Sequence, residues 1–179
     1  MQTGERWTFG TPHPAQEEVL CSPQRFVLFR GGLGSGKTWV GVTWATANVL
    51  LHSDRTSGVI IAPTYTMLDD VIRPQIDEWW PRMVVNTYHG TERSFTFPNG
   101  SKVFLRSAER RLRGTEYGWA WIDEPAECKE EIFTVITGRL RAQTRAKHQV
   151  LLTGTPSGYN WVHEMFGEPH EKHAEGFHV

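Results

Sequence analysis

The octet GGLGSGKT, Gly31-Gly32-Leu33-Gly34-Ser35-Gly36-Lys37-Thr38, fits the pattern G-x-x-x-x-G-K-[ST]. On its N-terminal side lies RFVLFR (Arg25 to Arg30), a short apolar run of β type. On its C-terminal side lies KTWVGVTWATANVLL (Lys37 to Leu51), apolar on nearly every side and so a buried helix. A glycine-rich turn between a strand and a helix can curl its backbone N–H groups around phosphate oxygens. The helix N-terminus adds the positive end of its dipole. In such a loop Lys37 reaches the β and γ phosphates of a nucleotide, and the Thr38 hydroxyl ligates Mg²⁺.

To either side of this loop the chain alternates strand-like and helix-like segments. PHPAQEEVL opens a short helix, since proline suits a first helical turn. GVIIAP (Gly58 to Pro63), GWAWID and HQVLLTGTP read as buried strands. YTMLDDVIRPQIDEWWP is helical with a kink expected at Pro74. KEEIFTVITGRLR is a helix whose first part Gly138 would cap, and GYNWVHEMF is a closing helix. Strands apolar throughout, interleaved with helices, predict an α/β fold with a mostly parallel central sheet flanked by helices. RSFTFPNGSKVFLRS alternates about Asn99-Gly100, which predicts a β-hairpin near 94–106.

The strand GWAWID ends in two adjacent acids, Asp123 and Glu124. Beside a phosphate loop, an acid at a neighbouring strand end is the expected Mg²⁺ ligand, and Asp123 fills that place. Glu124 is then free to polarise a water for in-line attack on the γ-phosphate, which favours hydrolysis over transfer to a metabolite.

Bulk composition is that of an ordinary globular chain: 179 residues, 39% hydrophobic and 22% charged. That length predicts one domain over 1–179. A net charge of -1 gives no global attraction to nucleic acid or anionic membrane. Cys21 and Cys128 lack metal spacing and fit a reducing compartment. No apolar run is long enough to span a bilayer, so no membrane partner is expected. Trp79 and Trp80 read as core rather than partner surface. The tail histidines His163, His170, His173 and His178 are irregularly spaced and do not read as a metal site. Glu164, Glu168, Glu171 and Glu175 read as a solvated face.

Four stretches together resemble the N-terminal ATPase domain of the phage terminase large subunit. They are PHPAQEEVL, FRGGLGSGKT, ERRLRGTEYGWAWIDEPAE and LLTGTPSGYNWVHEMF, in that family's order. The resemblance implies an ASCE-type P-loop NTPase that uses ATP and Mg²⁺ to drive double-stranded viral DNA into a procapsid. It implies that Gln16 reads the adenine edge and that Gly31 through Thr38 bind the phosphates. It implies that Thr153, Gly154, Thr155 and Pro156 couple γ-phosphate loss to motion, and that Arg113 serves a neighbouring subunit as an arginine finger. Arg110, Arg111, Arg139 and Arg141 are rival fingers; Gly-Thr-Pro is also plain turn chemistry. The loop lacks the internal arginine of some family members, which leaves Arg30 as a cis candidate. No clustered nuclease acids follow, so no DNA cleavage is expected of this chain. Implied partners are double-stranded DNA (weakly, for the isolated domain), a portal protein, a small terminase subunit and further copies in a ring. The isolated domain is expected to be a monomer. The place of action would be the host cytoplasm, at the procapsid portal vertex. The basic stretches Arg106-Arg110-Arg111-Arg113 and Arg139-Arg141-Arg145-Lys147 could meet DNA phosphates. Rival readings are a helicase-like DNA translocase, a small P-loop kinase and a non-catalytic nucleotide-binding module.

Overall fold

The structure is a computed structural model and describes residues 10–50, 55–80, 87–110, 112, 114–142, 147–167 and 177–178. In chain order its elements are α1 (Pro14–Cys21), β1 (Phe26–Arg30), α2 (Lys37–Leu50), β2 (Ser57–Ala62), α3 (Tyr65–Met67), a π-helical turn (Leu68–Ile72) and α4 (Arg73–Trp79). Then come β3 (Thr87–His89), β4 (Ser94–Thr96), β5 (Lys102–Ser107), β6 (Trp119–Asp123), α5 (Glu131–Arg139), β7 (Gln149–Gly154), α6 (Trp161–Phe166) and β8 (Phe177–His178).

One sheet of eight strands runs in the order β3-β4-β5-β2-β6-β7-β1-β8. From β5 to β8 every pairing is parallel, while β3, β4 and β5 form the antiparallel edge. The expected hairpin is the β4–β5 pair, turning through Gly100 at φ 81°. β7 lies between the loop strand β1 and the acid strand β6.

Alternation within each buried strand builds two cores, because successive side chains point to opposite faces. Val27, Phe29, Ile60, Trp119, Trp121 and Leu151 pack under α1, α2 and α4. Leu28, Ile61, Ala120, Ile122, Val150 and Leu152 pack under α5 and α6. Covered faces explain why these strands read as continuous apolar runs. Trp80 is buried in the first core, with its indole N–H donating to Thr46 at 2.6 Å, and Trp79 packs at that core's edge.

The irregularity expected at Pro74 takes the form of the π-turn Leu68–Ile72, which runs without a break into α4 and widens the turn just before the proline. One local expectation changes. Gly138 does not cap α5; the helix runs through it to Arg139, and Leu140 is the cap. Among the described residues no helix is long and apolar enough to cross a membrane.

Candidate active site

The parallel register puts the chemistry in one row. Asp123 of β6 pairs with Thr153 of β7, and Thr153 pairs with Phe29 of β1, at the carboxyl ends of all three strands. In open α/β sheets this is where ligands bind. Just beyond Phe29 and Arg30 the chain enters the glycine loop.

Gly34 and Gly36 take φ of 75° and 78°, left-handed conformations that glycine adopts without strain. Leu33, at the tip, is fully exposed. The first bond of α2 runs from Val40 N–H to the Gly36 carbonyl at 2.9 Å, so Lys37 and Thr38 stand at the helix N-terminus. Lys37 Nζ donates to the Gly31 and Gly32 carbonyls at 2.9 and 3.1 Å and lies 3.9 Å from Glu124 Oε1.

Gln16 is buried, and its amide is used inside the chain. Its Oε1 accepts from His13 N–H at 3.0 Å in the cap of α1, and its Nε2 donates to the Ser35 carbonyl at 3.2 Å. It therefore ties α1 to the glycine loop, a bracing role the sequence does not suggest. A Cβ at Gly36 would collide with this amide.

Three consecutive residues of β7 and its exit touch three parts of the site. The Thr153 hydroxyl donates to Asp123 Oδ1 at 2.6 Å. The Gly154 carbonyl accepts from Gly31 N–H at 3.2 Å. Thr155 holds the Glu124 carboxylate, with its N–H on Oε2 at 2.9 Å and its hydroxyl on Oε1 at 3.1 Å. Pro156 lines a shallow cleft beside them, together with Arg30, Pro125 and His163. Thr153, Gly154 and Thr155 thus contact the acid pair and the loop directly.

Glu124 itself is left-handed, at φ 44° and ψ 57°. For a residue with a Cβ this costs about 1–2 kcal/mol. Its N–H donates to the Thr153 carbonyl at 2.7 Å, and Pro125 opens a short 3₁₀ turn behind it. The strain turns the side chain out of the strand's alternation and toward Lys37 and Thr155.

Asp123 is 4% exposed, and the Lys37 charge favours its ionised form without an ion pair between them among the described residues. Burial pushes its carboxyl up to about 6, against the Thr153 hydrogen bond that lowers it; neighbouring Glu124 raises it further. A carboxyl whose folded value is raised stabilises the fold while protonated. That contribution is fully present below its ordinary value near 3.8 and is lost as pH rises through about 6. In EDTA, without nucleotide, the domain is expected to melt several degrees higher at pH 5 than at pH 7.5. Asp123→Asn should melt higher than the unmodified chain at pH 7.5 and lose most of that pH dependence, an effect of about 2–3 kcal/mol. Equal melting of the two proteins at pH 7.5 would contradict a carboxylate whose burial outweighs its favourable partners.

The donor set fits Mg²⁺: one carboxylate and one helix-terminal hydroxyl, both hard oxygens, with phosphate and water as the usual remaining ligands. Among the described residues no group of three or more His, Cys, Asp or Glu gathers as a metal cage. His170, His173 and the side chain of His178 lie outside the described residues, as do Glu168, Glu171 and Glu175.

A family model described as terminase large subunit, T4likevirus-type, N-terminal, matches residues 28–176. This chain belongs to that terminase family. Solved structures with the same fold include the Thermus phage P74-26 large terminase ATPase domain, at 23% identity and a TM-score of 0.73, over 87% of this chain and 69% of that one. The large terminase of another thermophilic bacteriophage, in complex with ATP-gamma-S, matches at 20% identity and a TM-score of 0.70, over 93% of this chain and 43% of that one. The Phi-28 gp11 DNA packaging motor matches at 13% identity and a TM-score of 0.53, over 91% of this chain and 58% of that one. No curated protein matches at a significant level.

The arginines of this terminase chain are distributed as follows. Arg111, Arg113 and Arg145 lie outside the described residues. Arg106 donates to the Glu92 and Leu105 carbonyls, and Arg110 lies over the Tyr65 ring. Arg139 donates to the Thr115 carbonyl, and Arg141 pairs with Glu116 at 2.8 Å. Lys147 joins Arg25 and His148 around an open depression lined also by Pro23 and Gln149.

Proposed function

We propose that this terminase domain hydrolyses Mg²⁺-ATP and that the reaction drives double-stranded DNA into a viral procapsid. The observation that carries the hydrolytic reading is the Glu124 carboxylate, held beside the loop lysine at 3.9 Å and gripped by Thr155. A kinase has no need of a second acid in that place.

The roles divide as follows. Gly31 through Gly36 present backbone N–H groups to the phosphates, and Lys37 exchanges its carbonyl partners for phosphate oxygens. Thr38 and Asp123 hold Mg²⁺, which when bound draws charge from the phosphate oxygens. Glu124 takes the proton of the attacking water. Thr153, Gly154 and Thr155 sense the state of that site through their bonds to Asp123, Gly31 and Glu124, and Pro156 leads the chain away from it. Gln16 supports the loop as well as any contact with the base. Residues 1–179 act as one ATPase domain, monomeric in isolation and ring-forming at the portal vertex in the host cytoplasm. The partners there are DNA, portal protein and small terminase subunit. An arginine supplied by a neighbour stabilises transition-state charge, and Arg113 is assigned that task.

The test is ATPase activity against protein concentration, with and without double-stranded DNA. Turnover per subunit is expected to rise steeply with concentration, and Arg113→Ala to abolish the rise, by about a hundredfold or more under assembling conditions. An equal loss in a strictly monomeric sample would assign Arg113 to its own subunit's site or to folding.

A further inference from the structure

We propose that Trp121 is a positioning residue for the metal acid and acts through Thr153. This rests on the reading of Asp123 as the Mg²⁺ ligand.

The Trp121 indole N–H donates to Thr153 Oγ1 at 2.7 Å, and Thr153 Oγ1 donates to Asp123 Oδ1 at 2.6 Å. Trp121 and Thr153 are fully buried and Asp123 nearly so. An indole can only donate, and a hydroxyl has one proton to give. Once Thr153 accepts from Trp121, its proton is directed to the carboxylate. The resulting bond is short and charge-assisted, and it fixes one oxygen of Asp123 and with it the plane of the carboxylate.

The indole is itself located by α2. A Cβ at Gly41 would overlap the Trp121 ring, so helix and ring lie in direct contact there. Gly41 is one helical turn beyond Lys37 and three residues beyond Thr38. One rigid side chain therefore spans from the helix that carries the Thr38 hydroxyl to the bond that orients Asp123. The two protein groups proposed for the metal are set relative to each other through a path that avoids the glycine loop. Strand parity supports it: Trp119, Trp121 and Asp123 share one face of β6, and Thr153 lies opposite Asp123 on β7.

The experiment measures Mn²⁺ binding by electron paramagnetic resonance in the presence of ADP, and ADP binding in EDTA, on the whole chain. Trp121→Phe keeps an aromatic side chain but removes the donor and the second ring that meets Gly41, so the Thr153 variants isolate the hydrogen bond. It is expected to weaken Mn²⁺ about tenfold, in line with other groups that orient metal ligands, and to leave metal-free ADP affinity within about twofold. Thr153→Val should do the same, Thr153→Ser should restore Mn²⁺ binding, and Trp121→Phe with Thr153→Val should be no worse than Thr153→Val alone. Unchanged Mn²⁺ affinity in Trp121→Phe, or additive losses in the double variant, overturns the relay. If Trp121→Phe fails to fold, the comparison of Thr153→Val with Thr153→Ser decides: equal Mn²⁺ affinity in the two overturns it. Asp123→Asn separates the levels. If it leaves Mn²⁺ binding intact, the metal assignment itself fails; if it weakens binding while Trp121→Phe does not, only the relay fails.

Discussion

Glu124→Gln is expected to bind ATP with unchanged affinity and to turn it over about a hundred to ten thousand times more slowly. Glutamine keeps the side-chain length and can still accept from the Thr155 N–H or hydroxyl, so the local contacts survive. It cannot take a proton, and a positioned general base contributes about 10²–10⁴ in rate. The backbone argues for the same residue. At φ 44° glycine would be more comfortable, and relief of strain would stabilise the fold by about 1 kcal/mol. A strained glutamate at this point is what a chemical requirement, rather than a structural one, leaves behind. The checks are steady-state phosphate release and equilibrium ATP binding on the same preparations. Unimpaired phosphate release would remove Glu124 from the base role.

Lys37→Ala is expected to weaken ATP binding by about 10–100-fold. A charge-assisted hydrogen bond to phosphate contributes about 1.5–3 kcal/mol, and about 1.4 kcal/mol is tenfold. In the structure the ammonium spends its donors on the Gly31 and Gly32 carbonyls, which glycine-loop backbone can return to water. The fold should therefore lose little, and thermal melting without nucleotide should shift by a few degrees at most. Calorimetric titration with ATP reads the affinity. A dissociation constant equal to that of the unmodified chain would refute the phosphate-loop assignment.

Both predictions concern residues that stand out in the sequence, and the reason is physical. The loop's chemistry depends on neighbours in the chain: glycines that reach positive φ, and a lysine and threonine on the first helical turn. The acid pair is legible because a very apolar strand that ends in two carboxylates needs a cation or a reaction to hold them there. The α/β class and the 94–106 hairpin follow from local periodicity and from Asn99-Gly100. Gly138 misleads for a local reason, while Pro74 marks the place of an irregularity but not its π form. A glycine in a last helical turn is tolerated when the helix packs well, and a π-turn has no sequence mark as plain as proline.

The glycine loop, the acid pair proposed for metal and water, and the types of element that carry them are legible in the chain alone, since each is written within one strand-turn-helix stretch. How these parts act on one another depends on the assembled sheet. Thr153 meets Asp123 across 30 residues of chain, and Thr155 meets Glu124 across 31, because β7 lies between β1 and β6. Strand order in a parallel sheet leaves no local periodicity to read. For the same reason the Gln16 brace, the Gly41–Trp121 contact and the grouping of Arg25 with Lys147 emerge only where the sheet brings distant segments together.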